Sequence, residues 1–166
     1  MIVEGLVRLI NDAYAVGEAE LWTAGTTRTT PDEVAELIRT GGMLTARAQG
    51  RLVGCACVRQ VDASTADLGF VSTDPLRWGG GVGRRLVDTA EELMRSRGAN
   101  TMELKVLVPR DEVHPEKDRL RAWYSRHGYR IVRSVPFEEI ATHAAAQLAK
   151  PCEFLIFRKP LAESTG

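Results

Sequence analysis

Leu6, Leu9, Ile10, Ala13 and Tyr14 fall on the i, i+3, i+4 spacing of a helix, with Asn11, Asp12 and Glu18 opposite them. A second helix is marked by its start: Thr30 caps it, Pro31 takes the first position and Glu33 completes a capping box. Val34, Leu37 and Ile38 give it an apolar side, and Gly41-Gly42 end it. Strands follow. Residues 43–48 and 52–61 read as strands joined in a hairpin at Gln49-Gly50, and 67–73 as a third that stops at Asp74-Pro75. The most regular amphipathic stretch follows. Val82, Leu86, Ala90, Leu93 and Met94 line one helix face, Asp88, Glu91, Glu92 and Arg95 the other, and Gly98 closes it. Beyond it come a strand at 101–108, a helix at 119–127 and a strand at 129–135. A short helix at 138–149 then precedes Pro151 and a last strand at 152–158. The order α, α, β, β, β, α, β, α, β, α, β puts hairpins first and alternation later. It predicts an α/β chain of the α+β type, a mixed sheet flanked by helices.

Composition narrows the function. A chain of 166 residues suits a single domain, 1–166. Lys plus Arg number 22 and Asp plus Glu 22, so no basic field draws the chain to nucleic acid or an anionic membrane. The start, Met1-Ile2-Val3-Glu4, has no basic region followed by a long apolar run, and nowhere do enough apolar residues run together to span a bilayer. A cytoplasmic protein is expected. Cys55, Cys57 and Cys152 are odd in number and lack CxxC spacing, so buried reduced thiols are expected rather than a disulfide framework. No HxxxH or Cys/His cluster implies a metal.

The chemistry concentrates at residues 79–83, where Gly79, Gly80, Gly81 and Gly83 join a strand to a helix around Val82. Glycines allow positive φ and let a ligand approach bare backbone. Successive N–H groups in such a turn form an anion-binding nest, and the following helix adds its positive end. Arg77, Arg84 and Arg85 add cationic side chains, so a phosphate or pyrophosphate is the natural ligand. The dinucleotide fingerprint GxGxxG fails, because its third glycine falls on Arg84 or Leu86. The loop GxxxxGK[ST] fails too, since no Lys-Ser or Lys-Thr follows.

The stretch from Leu68 through Asp74-Pro75 to Leu86 resembles the GNAT superfamily of N-acetyltransferases, whose hallmark is [Q/R]-x-x-G-x-[G/A] after a strand and a proline-containing turn. Gly81 and Gly83 take the G-x-G positions; Trp78 stands at the Gln/Arg position, with Arg77 one residue earlier. A second segment, 119–129, matches the family's helix ending in Tyr, three residues and then Gly-Tyr, here Tyr124 and Gly128-Tyr129. Lys117 stands where an early asparagine is common. Members begin with a strand before the first helix and this chain starts at the helix, so the resemblance implies a shortened or missing first strand.

The resemblance implies a GNAT-like acyl-CoA N-acyltransferase fold, a central, mostly antiparallel twisted sheet flanked by helices. It implies acetyl-CoA as acyl donor and direct attack by the primary amine of a small molecule, amino acid or peptide in a ternary complex. Backbone groups of Val71 and Thr73 would bond the pantetheine arm, and N–H groups from Trp78 through Gly79, Gly80, Gly81, Val82 and Gly83 to Arg84 the pyrophosphate. An N–H near Val71 would polarise the thioester carbonyl. Tyr124 becomes the candidate acid for the departing thiolate, against a packing role beside Trp123. Asp67 and Glu103 are candidate bases, although each alone fits a solvated strand residue better; His114 and His127 have suitable intrinsic pKa values but read as a loop and a helix end. Glu18, Glu20, Glu138 and Glu139 offer charge for a cationic amine. Homodimers are common in the family. The alternative on the same fold is a non-catalytic acyl-CoA-binding or sensing module.

Overall fold

A computed structural model of the chain describes residues 1–77 and 79–161. Its six strands, β1 (Met43–Ala48), β2 (Arg51–Gln60), β3 (Thr65–Thr73), β4 (Thr101–Pro109), β5 (Arg130–Pro136) and β6 (Cys152–Pro160), run in the order β1-β2-β3-β4-β6-β5, antiparallel in the pairs β1/β2, β2/β3 and β5/β6. Contacts gather into two compact units, one comprising Met1–Val16, Thr27–Met102 and the chain from Pro160, the other Gly17–Thr26 and Glu103–Lys159. No helix among the described residues is long and apolar enough to cross a membrane.

The first unit holds α1 (Ile2–Gly17), α2 (Pro31–Arg39), β1 (Met43–Ala48), β2 (Arg51–Gln60), β3 (Thr65–Thr73) and α3 (Val82–Ser96). Gln49 and Gly50 both take positive φ, 52° and 78°, the turn that matches strand twist in a tight hairpin. Alternation along β2 sorts its neighbours. Cys55 packs with Leu6, Leu9 and Ile10 of α1 and Val34 of α2. Gly54, one residue earlier, faces the other way, where an added Cβ would stand 2.7 Å from Val82 Cγ1 and 2.9 Å from Leu86 Cδ1. Helices α1 and α2 therefore cover one face and α3 the other, and the missing side chain at Gly54 lets α3 settle with its first turn against β2. Thr30 caps α2 by accepting from the Glu33 N–H at 3.3 Å, but the Glu33 carboxylate takes the Thr29 hydroxyl at 2.7 Å instead of closing the expected box.

The second unit is built on β4 (Thr101–Pro109, which starts in the first unit), α4 (Pro115–Arg126), β5 (Arg130–Pro136), the single turn α5 (Phe137–Ile140) and β6 (Cys152–Pro160). Leu21, Leu107, Phe137 and Cys152 form one buried cluster in it. Helix α4 starts at Pro115, ahead of the pattern's start at 119. Pro115 takes the first position and His114 caps, its Nδ1 accepting the Lys117 N–H at 3.3 Å. Histidine is outside the usual cap set, which hid this start. The helix expected at 138–149 breaks into α5 and a 3-10 stretch, Thr142–Gln147. Backbone pairing explains the break: the Thr23 N–H donates to Gln147 O and the Ala149 N–H to Leu21 O, each at 2.8 Å, which pulls Leu148 into a bridge with Trp22.

Candidate active site

Strand β3 does not run smoothly. It pairs with β2 as Cys57↔Gly69 and then as Cys55↔Ser72, so Phe70 and Val71 stand opposite Ala56 alone. This is a β-bulge, which bends a strand and re-aims the groups beside it. Phe70 sits there at φ 50°, a left-handed conformation that costs a non-glycine residue about 1–2 kcal/mol. Its carbonyl accepts from the Ser72 hydroxyl at 3.0 Å and from the Cys55 thiol at 3.7 Å. Both donors are buried. Burial pushes the Cys55 thiol up to about 12, so it stays protonated and serves as a donor rather than a nucleophile. Half-buried Val71 and Thr73, expected to meet a pantetheine arm, lie in and just past this bulge.

From β3 the chain enters a glycine turn. The Asp74 N–H ties it to Val53 O at 2.9 Å, and Asp74 Oδ1 accepts the Leu76 N–H at 3.0 Å. Gly79 and Gly81 take φ 91° and 80°, and a Cβ at either would meet nothing within 4 Å, so bare backbone faces open space. Gly81 is the N-cap of α3 and supplies no side-chain hydrogen bond, and the helix has no acidic residue in its first turn. Two other helices differ in their starts: α2 has Thr30 with Asp32 and Glu33, and α4 has His114 with Glu116 and Asp118. Where they meet their first N–H groups and dipole from their own side chains, α3 has no side-chain cap and no acid there, a start suited to an anion. Arg84 flanks the turn, exposed, 3.8 Å from Asp88. Trp78, expected among the phosphate-binding residues, lies outside the described residues.

Tyr124 is 5% exposed on α4, its ring edge-on to Trp123 and Tyr129 at centroid distances of 5.0 and 5.7 Å. Its carbonyl closes the helix by accepting the His127 and Tyr129 N–H groups at 3.0 and 3.1 Å. Glu103 is already engaged: Arg158 Nε and Nη2 both reach its Oε2 at 2.8 Å, and Lys105 Nζ lies 3.8 Å from Oε1. Half-buried Asp67 stands opposite Arg59 in the β2/β3 register. His127 Nδ1 donates to Trp123 O at 2.8 Å, and His114 Nε2 donates to Ala19 O at 2.9 Å, so both histidines are held by backbone. Glu20, Glu138 and Glu139 are exposed. Glu18 is not available to an amine, because it is buried with Lys117 Nζ 2.7 Å from its Oε2 and Trp22 Nε1 2.9 Å from its Oε1. Sequence reasoning missed this pair, together with Ser72 as the support of the bulge. The three cysteines are free and buried, as expected.

A model described as the acetyltransferase (GNAT) family matches residues 6–129. Mycothiol acetyltransferase of Beutenbergia cavernae is 32% identical over 95 residues, which cover 57% of this chain and 27% of that protein. The match thus spans about a quarter of that relative's length. The aminoglycoside 6'-N-acetyltransferase from Enterococcus faecium superposes with a TM-score of 0.71 at 18% identity, covering 99% of this chain and 93% of that one. An aminoglycoside 6'-N-acetyltransferase complexed with coenzyme A gives 0.70 at 18%, covering 96% and 92%. At such identities these structures speak for the fold: a mostly antiparallel six-stranded sheet flanked by helices.

Proposed function

Because the chain belongs to the acetyltransferase (GNAT) family, we propose that it moves an acetyl group from acetyl-CoA to a primary amine of a small molecule, amino acid or peptide. The observation that carries this reading is the start of α3, with no side-chain cap and no acid in its first turn behind a left-handed glycine pair. A pyrophosphate fits such a start, since it accepts the orphan N–H groups and faces the positive end of the helix. In this reading the N–H groups of Gly79, Gly80, Gly81, Val82, Gly83 and Arg84 hold it, and backbone groups of Val71 and Thr73 hold the arm.

Bound acetyl-CoA supplies an acetyl group activated as a thioester. The amide at Val71 donates to the thioester carbonyl, where negative charge grows as the amine nitrogen bonds to the acetyl carbon and the carbon–sulfur bond breaks. Tyr124 gives its phenolic proton to the departing sulfur. The amine's proton passes to Asp67 or Glu103, directly or through water; Glu103 is tied to Arg158 and Lys105. Residues 1–166 act as a single domain, a reading supported by a family match that draws on both compact units. We expect no nucleic-acid or membrane partner and a cytoplasmic location, and a homodimer is open to the chain as it is to the family. Amine-dependent release of free thiol from acetyl-CoA tests the function. Tyr124→Phe should lower kcat by about a hundredfold or more while donor binding persists. Unchanged kcat would remove Tyr124 from the chemistry, and absence of thiol release across primary amines would leave only the binding-module alternative.

A further inference from the structure

Arg28 lies in the loop between α1 and α2, yet it is fastened there. Asn11 Oδ1 accepts the N–H groups of Arg28 and Thr29 at 2.9 Å each, and Asn11 Nδ2 donates to Thr29 O at 3.3 Å. Its guanidinium carbon stands 4.5 Å from the ring centroid of Phe70 and 5.0 Å from that of Tyr14, and these rings meet edge-on at 6.3 Å. The side chain is exposed, and no described carboxylate pairs with it.

A guanidinium resting on aromatic rings uses its face and keeps the N–H donors at its edge, whose fork matches a carboxylate in two parallel hydrogen bonds. The apolar rings beneath it shed water, which strengthens such a pair. The position also bears on the reaction. Phe70 is the strained residue of the bulge, and the next amide, Val71, is the one assigned above to the thioester carbonyl. An acceptor whose amine reaches the thioester carbon from the side of Phe70 would pass the Arg28 guanidinium. A polycationic acceptor would meet like charge there.

We infer that Arg28 anchors a carboxylate carried by the acceptor, so the substrate class is an amino-acid-like amine. The inference rests on the acetyltransferase reading and refines it. The test uses the full chain, acetyl-CoA and two acceptor panels: the common amino acids as free acids, and the same compounds as carboxamides. Free acids should be acetylated with kcat/KM roughly tenfold or more above their amides. Arg28→Ala should abolish that preference by raising KM for the acids with little change in kcat, and Arg28→Lys should restore part of it. A role as a surface staple alone would lower the melting temperature and leave the acid-to-amide ratio untouched. That outcome, or equal wild-type rates on the two panels, overturns the inference. Acetyl-CoA binding with neither panel acetylated overturns it too while sparing the donor site, whereas failure to bind acetyl-CoA removes both.

Discussion

The Ser72 hydroxyl donates to the Phe70 carbonyl at 3.0 Å, closing the bulge on a residue held at φ 50°. Glycine takes that backbone without strain and alanine keeps the strain that Phe70 bears, although both lose the ring. Phe70→Gly should therefore be less destabilising than Phe70→Ala by about 1 kcal/mol, as urea unfolding would measure. Ser72→Ala should cost about 1 kcal/mol and reduce kcat more than KM, because it loosens the amide proposed to act on the thioester.

Gly54 sets the seat of α3. Gly54→Ala places a methyl 2.7 Å from Val82 Cγ1 and 3.2 Å from the Ser72 carbonyl, so the first turn of α3 must shift. We expect about 1–3 kcal/mol of lost stability and weaker acetyl-CoA binding, read by thermal melting and calorimetry.

The buried Lys117–Glu18 pair, at 2.7 Å, should respond unequally to single and double changes. Lys117→Met alone strands a buried carboxylate and should cost about 3–5 kcal/mol. Adding Glu18→Gln, which keeps a partner for Trp22, should recover a good part of that loss in the same unfolding assay.

Burial raises the folded-state pKa of Cys55 to about 12 and of Cys152 to about 11, from 9.0. The native state then holds protons that the unfolded chain releases, so this contribution is intact below pH 9 and is lost between pH 9 and about 12. Stability should fall across that window. Cys55→Ala should lie below wild type at pH 8 and lose less on going to pH 10.5, by up to about 1.4 kcal/mol per pH unit. At pH 8 the native thiols should react with a thiol reagent only after denaturant is added.

Much of this was legible in the sequence because two periods and a few punctuating residues carry it. The helical face of α3, the Gln49-Gly50 hairpin and the stop at Asp74-Pro75 are local signals, and the glycines at 79–83 marked the turn where the anion is proposed to bind. What escaped was non-local. The bulge at Phe70 is a property of pairing with β2, invisible along the run Leu68-Gly69-Phe70-Val71. Residues 138–149 have a helix-compatible composition but yield to backbone pairing with Leu21 and Thr23. Glu18 reads as a solvated acid until Lys117, 99 residues away, is found on it. Arg28 gains its position from Asn11 and Phe70, which no spacing announces.

Calorimetric titration of the full chain with acetyl-CoA, beside Gly83→Glu, tests the central claim most directly. An acidic side chain in the first turn of α3 favours the helix, so the variant should melt no lower than wild type. It also sets a negative charge where the pyrophosphate is proposed to lie. The account predicts saturable binding by wild type, weakened roughly hundredfold or more in the folded variant. Absence of binding by the folded wild type, or equal binding by both proteins, would contradict it.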